Sequence, residues 1–213
     1  MPFRIKESAE LWRLVMSLYI NFSFAQLVIN CLGQMIAGFM LEAQMGSLRL
    51  MCFWFAAGIC ANLFAATVDD FYAAGAEPAL FAMLGGLIAM YCYYWDRLGT
   101  DEDWCRKVCG LFMMVFLLVI GIVFLVSFAQ PYKNWAKFYR ISYPDPMGYL
   151  GGFLFGFPMS WIFFAPTGRS LKLATKREKM LFYVGIGLAS VLLFIIVVSF
   201  AFGSEPDKYW EYE

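Results

Sequence analysis

The sequence predicts an all-α, polytopic membrane protein, and three observations support that prediction. Of the 213 residues, 62% are apolar and only 15% are charged, whereas a soluble domain carries about a quarter charged residues. Six stretches are apolar and long enough, or nearly so, to cross a hydrocarbon core that is about 30 Å thick. Most connections between these stretches are short, which leaves no room for a sizeable domain outside the membrane.

The chain opens with an amphipathic segment at residues 8–20, which is typical of a short helix at the membrane interface. The predicted membrane spans follow it at 22–41, 50–68, 78–95, 107–129, 148–165 and 180–203. The last span is the cleanest because it carries no charge. The first is the least clean because it contains Gln26, Asn30 and Gln34.

Charge decides the orientation and excludes one class of partner. The formal net charge is zero, and nucleic-acid binding, which requires a basic face, is not expected. Five basic residues lie in the loop 166–179, so the positive-inside rule places that loop in the cytoplasm or its topological equivalent. The longest connection, 130–147, mixes aromatic, basic and proline residues and is predicted to be an ordered interfacial loop.

No cofactor or metal site is expected. The chain has no histidine, and most of its 6 cysteines lie inside apolar runs, where cysteine packs as a small apolar residue. The N-terminal residues lack the apolar core and cleavage site of a secretory signal. Targeting is therefore expected to be internal, or to depend on a leader that has been removed.

One short motif carries a resemblance to a known family. Gly75-Ala76-Glu77-Pro78 opens an apolar run and resembles the nucleophile segment of the rhomboid intramembrane proteases, Gly-x-Ser-Gly. Glu77 stands at the serine position and Pro78 at the position of the following glycine. Because a serine–histidine hydrolase needs both of those side chains, the resemblance implies a rhomboid-like protein that has lost catalysis.

The resemblance covers roughly residues 8–168. Trp12 and Arg13 resemble the Trp-Arg motif that precedes the second core helix. Gln26 and Asn30 match a His-x-x-x-Asn pattern, with Gln26 in place of histidine and Asn30 retained. In active members that pair helps to form the oxyanion hole. Glu42 ends the Gly-x-x-x-Glu that closes the same helix.

The last core helix begins near Gly148, and Tyr149 stands where the general-base histidine is expected. Gly152 and Gly156 form a Gly-x-x-x-Gly spacing that lets two membrane helices approach closely. Gly85, eight residues after the nucleophile position, matches a packing glycine of the family. The resemblance implies that the first core helix is missing, so that residues 1–168 form the core, and that residues 169–213 add one helix and a short acidic, aromatic tail.

A buried carboxyl group is costly at membrane depth, so Glu77 needs an explanation. The first interpretation is a structural latch, in which Tyr149 hydrogen-bonds Glu77 directly or through one water across the glycine-lined crossing. The alternative is a proton-accepting or ligand-contacting group in a residual cavity. For Arg13, the leading interpretation is contact with lipid phosphates or with Glu42.

The expected function is that of a non-catalytic subunit of a larger membrane complex. The mitochondrial inner membrane is the favoured location, with a respiratory, ATP synthase or protein-import assembly and lipids as partners. An ER client-binding or trafficking role, like that of inactive rhomboids and Derlins, is the alternative, and intramembrane proteolysis is a remote one. Small and polar residues in the added helix, such as Gly185, Gly187 and Ser190, are expected to contact other chains.

Overall fold

The computed structural model describes residues 11–21, 24–68, 72–73, 75–94, 141–142, 145–164 and 175–202, and five isolated positions between 108 and 119. These described ranges fold into helices and one pair of two-residue strands. In chain order the elements are α1 (Trp12–Met16), α2 (Phe24–Met45), α3 (Ser47–Val68), β1 (Tyr72–Ala73), α4 (Glu77–Tyr93), β2 (Ile141–Ser142), α5 (Pro146–Phe163) and α6 (Lys176–Phe202).

The prediction of a helical membrane bundle is confirmed. Residues Gln26–Met45 of α2, all of α3 and all of α6 are long and apolar enough to cross a membrane, and α4 is a shorter apolar helix. The helix α5 corresponds to the predicted span 148–165. The predicted span 107–129 lies outside the described residues except at five helical positions, and the tail 203–213 lies outside them entirely.

The two helices α4 and α5 pack more extensively on each other than any other pair in the described ranges, and α3 covers one side of both. The main core cluster joins α2, α3, α4 and α5 through large apolar side chains, among them Leu41, Phe53, Met83 and Leu87. Trp161 completes this cluster, and its indole N–H donates a hydrogen bond of 3.1 Å to the carbonyl of Ala89. A polar tip that finds a backbone partner in this way is the usual solution for a buried tryptophan.

The added helix α6 lies against the outside of this core. Gly185 faces α5, where a Cβ atom at that position would come within 2.8 Å of the carbonyl oxygen of Pro158. At the start of α6, Arg177 donates a hydrogen bond of 2.9 Å to the carbonyl of Cys92 at the end of α4. The carbonyls of a last helical turn lack partners within their helix, so this arginine both caps α4 and fixes α6 to the core.

The two described strands pair with each other. Tyr72 pairs with Ile141 and Ala73 with Ser142 in parallel register. The first strand leads into α4 and the second into α5, so the pairing sets the starts of these two helices side by side. The start of α5 is fixed by Asp145, whose carboxylate accepts a hydrogen bond of 2.9 Å from the backbone N–H of Gly148, as expected of an N-cap.

Candidate functional site

Glu77 is the first residue of α4, and the nearby Pro78 and Gly75 explain why the helix begins there. Pro78 suits the first turn of a helix, where its missing N–H costs nothing. Gly75 precedes the helix with φ of 141°, a conformation that favours glycine. The N–H of Gly75 donates a hydrogen bond of 2.9 Å to the carbonyl of Ser17, which ties this turn to the segment after α1.

The carboxylate of Glu77 is held by α2. The side-chain amide of Gln26 donates a hydrogen bond of 2.6 Å to Oε1 of Glu77, and Gln26 is only 2% exposed. The other carboxylate oxygen, Oε2, lies over Gly75, where a Cβ atom would overlap it. The Asn30 amide and the backbone N–H of Glu77 also face the carboxylate. The nucleophile position therefore holds a carboxyl group surrounded by hydrogen-bond donors.

Asn30 links this centre to the segment between α1 and α2. Its side chain, 2% exposed, donates a hydrogen bond of 2.9 Å to Oδ1 of Asn21. Asn21 belongs to the short segment between α1 and α2, so the bond holds that segment against α2. The structure thus brings together Gln26, Asn30 and Glu77, three positions that the family resemblance assigned to one catalytic centre.

Tyr149 lies at the same helix crossing but has a different role from the one predicted. Its ring stacks on Phe81, which is one helical turn after Glu77 and on the same face of α4. The side chain of Gln26 donates a hydrogen bond to the carboxylate of Glu77. Within the described residues, no direct hydrogen bond joins Glu77 to Tyr149. The carboxyl group of Glu77 is bonded to Gln26 rather than directly to Tyr149, because its side chain turns back over Gly75 towards α2. The form of the latch that runs through one water stays a prediction.

The crossing of α4 and α5 is lined with glycine. A Cβ atom on Gly152 would strike the carbonyl of Pro78, and one on Gly156 would strike the backbone of Ala82. From the other side, a Cβ atom on Gly85 would come within 2.9 Å of the carbonyl oxygen of Phe153. Only glycine allows two helix backbones to approach this closely, and this contact is what sets Tyr149 beside Phe81. Gly148 also faces α4: its Cβ position lies 3.0 Å from Cγ of Pro78.

The remaining motif residues lie apart from this centre. The guanidinium of Arg13 lies 4.9 Å from the centroid of the Trp12 ring, in a cation–π arrangement. Glu42 accepts a hydrogen bond from the hydroxyl of Ser47 across the α2–α3 turn. An Arg13–Glu42 ion pair, one of the two contacts expected for Arg13, is not found among the described residues.

Sequence reasoning missed two polar residues that support the site. Asn62 on α3 donates hydrogen bonds of 2.8 Å to the carbonyl of Leu14 and of 2.8 Å to the hydroxyl oxygen of Ser17. Both Asn62 and Ser17 are buried. An asparagine inside an apolar span is itself a signal, because a buried amide has to be hydrogen-bonded.

Within the described ranges, no group of three or more His, Cys, Asp or Glu side chains could hold a metal ion. A separate groove of about 280 Å³ lies between α2, α3 and α4, towards the α2–α3 turn. Gln34, Glu42 and Ser47 give it polar lining, and Trp54 and Met83 give it apolar lining. The indole nitrogen of Trp54 is itself buried and has no hydrogen-bond partner among the described residues.

Comparison with known proteins points to one family. The model of the Rhomboid domain matches residues 8–166. Rhomboid-like protease 2 of Toxoplasma gondii is 26% identical over 150 residues, which is 70% of this chain and 46% of the relative. RHOMBOID-like protein 5 of Arabidopsis thaliana is 27% identical over 157 residues, 72% of this chain and 46% of the relative.

A third relative, from Arabidopsis thaliana, is RHOMBOID-like protein 6, mitochondrial. It is 21% identical over 160 residues, which is 75% of this chain and 46% of the relative. The chain therefore spans less than half the length of each of these relatives.

Proposed function

Because the chain belongs to the rhomboid family, we propose that it is a non-catalytic member, which keeps the helical core of the family and uses it for assembly rather than proteolysis. One observation supports this most directly. The nucleophile position holds Glu77, whose carboxylate is hydrogen-bonded by Gln26 and folded over Gly75. A carboxylate held in this way fills the space in which a serine hydroxyl and a substrate carbonyl would meet.

The chemistry of the surrounding groups supports the same proposal. Serine-type hydrolysis needs a nucleophile and a base that takes its proton, and the chain contains no histidine. Tyr149, at the base position, is packed against Phe81, and a phenol with a reference pKa near 10 is a poor base at neutral pH. Gln26 donates to Glu77 and does not accept a proton.

Loss of catalysis can be tested on the purified protein. The native chain should not react with fluorophosphonate probes and should not cleave a transmembrane substrate that an active rhomboid protease cleaves in the same detergent. Glu77→Ser alone should also be inactive, because Tyr149 stands in place of the general-base histidine and Gln26 stands in place of the histidine of the oxyanion hole. Cleavage by the native chain that is abolished by Glu77→Gln would contradict the proposal and favour the remote alternative, an unusual intramembrane protease.

The assembly role is supported by the outward face of α6. Apolar side chains on this face suit lipid, but Gly187 has no neighbouring atom within 4 Å of its Cβ position, and Ser190, one turn later, is exposed. Small residues one turn apart allow a second helix to approach closely. A stable subunit of a larger membrane complex would bury this face against another chain.

The mitochondrial inner membrane is the proposed location, supported by a relative whose name includes the word mitochondrial. Purification of the tagged protein in mild detergent from its native membranes tests both the location and the assembly role. Respiratory, ATP synthase or protein-import subunits should co-purify at constant stoichiometry. A protein that runs as a lone monomer would contradict the subunit role.

Client binding in the ER membrane is the second candidate, and the groove beside Trp54 favours it. The groove offers a bound segment the polar side chain of Gln34 and the apolar side chains of Trp54 and Met83. Co-purification with quality-control factors, lost on Trp54→Ala but retained on Gly187→Leu, would select this role over the first.

A further inference from the structure

We propose that Gln26, Asn30 and the start of α4 form a binding cradle for a carboxylate, and that the chain occupies this cradle with its own Glu77. The inference rests on the proposed function in one respect, namely that Glu77 is not a catalytic group. It concerns a different property, which is the recognition of an anion by buried donors. Its test measures ligand binding, so that either proposal can fail while the other stands.

The donors around the carboxylate come from three parts of the chain. Gln26 contributes the hydrogen bond of 2.6 Å from α2. Asn30, one turn further along α2, faces the same carboxylate. The third contribution is the start of α4, where the backbone N–H of Glu77 faces the carboxylate and the positive helix end favours negative charge.

The shape of the cradle fits a carboxylate closely. Gly75 forms its floor, and a Cβ atom at that position would overlap Oε2 of Glu77 and come within 2.6 Å of Nε2 of Gln26. The positive φ of Gly75 turns the chain so that its bare Cα faces the carboxylate. The cradle is therefore built from donors on its walls and a side-chain-free backbone beneath.

The donors of the cradle are buried, whereas Glu77 itself is only partly buried. Gln26 and Asn30 are each 2% exposed, and buried amides are costly without partners. A carboxylate in this position satisfies them, which explains why an acid at membrane depth is tolerated. If the side chain of Glu77 is removed, the same donors should take a small monocarboxylate, such as formate or acetate, from solution.

The experiment uses the full chain in detergent and compares thermal unfolding in sodium formate with unfolding in sodium chloride at equal ionic strength. Glu77→Ala should gain roughly 2–4 °C in Tm from formate, with saturation, as expected for a ligand that binds the native state. The native chain should show no such gain, because Glu77 fills the site. Adding Gln26→Leu to Glu77→Ala should abolish the gain, because it removes the shortest donor.

Glu42→Ala is the matched control, since it removes a carboxylate from the same helix that holds Gln26 but outside the cradle. The Tm of Glu42→Ala should be the same in sodium formate as in sodium chloride. Equal shifts in Glu77→Ala and Glu42→Ala, or no shift beyond chloride in Glu77→Ala, would overturn the proposal.

A second measurement applies if Glu77→Ala does not fold. Glu77→Gln keeps the size of the side chain, and a double-mutant cycle with Gln26→Leu reports the coupling between the two positions. The Tm losses of the single variants should sum to clearly more than the loss of the double variant. Additive losses would show that Gln26 does not recognise the charge of Glu77, and would overturn the proposal.

Discussion

The ring of Tyr149 lies on the ring of Phe81, with centroids 4.6 Å apart and planes within 5° of parallel. Tyr149 is 5% exposed, so the contact is part of the packing between α4 and α5. At the position where the family resemblance expects the general base, the side chain therefore acts as a packing element. Its contribution should be measurable as stability.

Tyr149→Ala should lower the free energy of unfolding by roughly 3–5 kcal/mol, because it opens a cavity beside Phe81. Tyr149→Phe keeps the ring and should cost much less. Glu77→Leu should cost less than Tyr149→Ala, about 1–3 kcal/mol, since it leaves the Gln26 amide without its acceptor. Chemical unfolding in one detergent gives all three values, and a larger loss for Glu77→Leu would contradict this order.

The close contact of α4 and α5 at the glycines predicts a loss of stability on substitution, and a glycine on α6 provides the control. Gly152→Ala should destabilise the protein by roughly 1–3 kcal/mol, because the new methyl group would collide with the carbonyl of Pro78 and force α4 and α5 apart. Gly187→Ala, at a position with open space, should be neutral or should gain up to about 1 kcal/mol from helix propensity. Equal effects at the two positions would show that the crossing is not as tight as described.

Asn62 should hold the segment after α1 in place. Asn62→Leu removes two hydrogen bonds, to the carbonyl of Leu14 and the hydroxyl of Ser17, at a cost of about 1–3 kcal/mol. The N–H of Gly75, which is bonded to the carbonyl of Ser17, should then exchange faster with deuterium. Thr67→Ala, which removes a bond within α3 only, should leave that exchange unchanged, and similar exchange in both variants would refute the link.

The two glycines of α6 separate core packing from partner contact. Gly187→Leu should weaken co-migration with partner subunits on a native gel and leave the unfolding of the isolated chain almost unchanged. Gly185→Leu should destabilise the chain itself, because it would collide with the carbonyl of Pro158 on α5. Deletion of residues 180–213 should release the core from its partners. Full co-migration of Gly187→Leu and of the truncated chain would place the docking surface elsewhere.

Hydropathy predicted the helices well and their ends less well. The spans 78–95 and 148–165 correspond to α4 and α5 within about two residues, because a proline marks both starts and Asp145 caps the start of α5. The last helix begins at Lys176 rather than at residue 180, since a helix continues through charged residues once it leaves the hydrocarbon. A signal for this was present: the hydroxyl of Thr175 accepts from the N–H of Glu178, and Glu178 accepts from the N–H of Thr175, which is the capping box of a Thr-x-x-Glu sequence.

The sequence predicted which residues form the candidate site, but it did not predict which of them hydrogen-bond each other. Gln26, Asn30 and Glu77 were assigned to one centre because motif order fixes which helix faces meet. The partner of Glu77 depends on its side-chain torsions and on the bare Cα of Gly75, which spacing along the chain does not encode. The support from Ser17 and Asn62 depends on hydrogen bonds between segments more than 40 residues apart, and a single sequence carries no direct signal for such a pair.

Where α4 crosses α5, glycine leaves no side chain between the two backbones. Side chains are what allow neighbouring helices to slide or separate, since they can change rotamer and refill the space. At Gly152 and Gly156 the backbones themselves are in contact, and even a small separation would open a void. The two helices should therefore move as one rigid body, and any change of shape in this bundle must take place at the side-chain contacts of α2, α3 and α6.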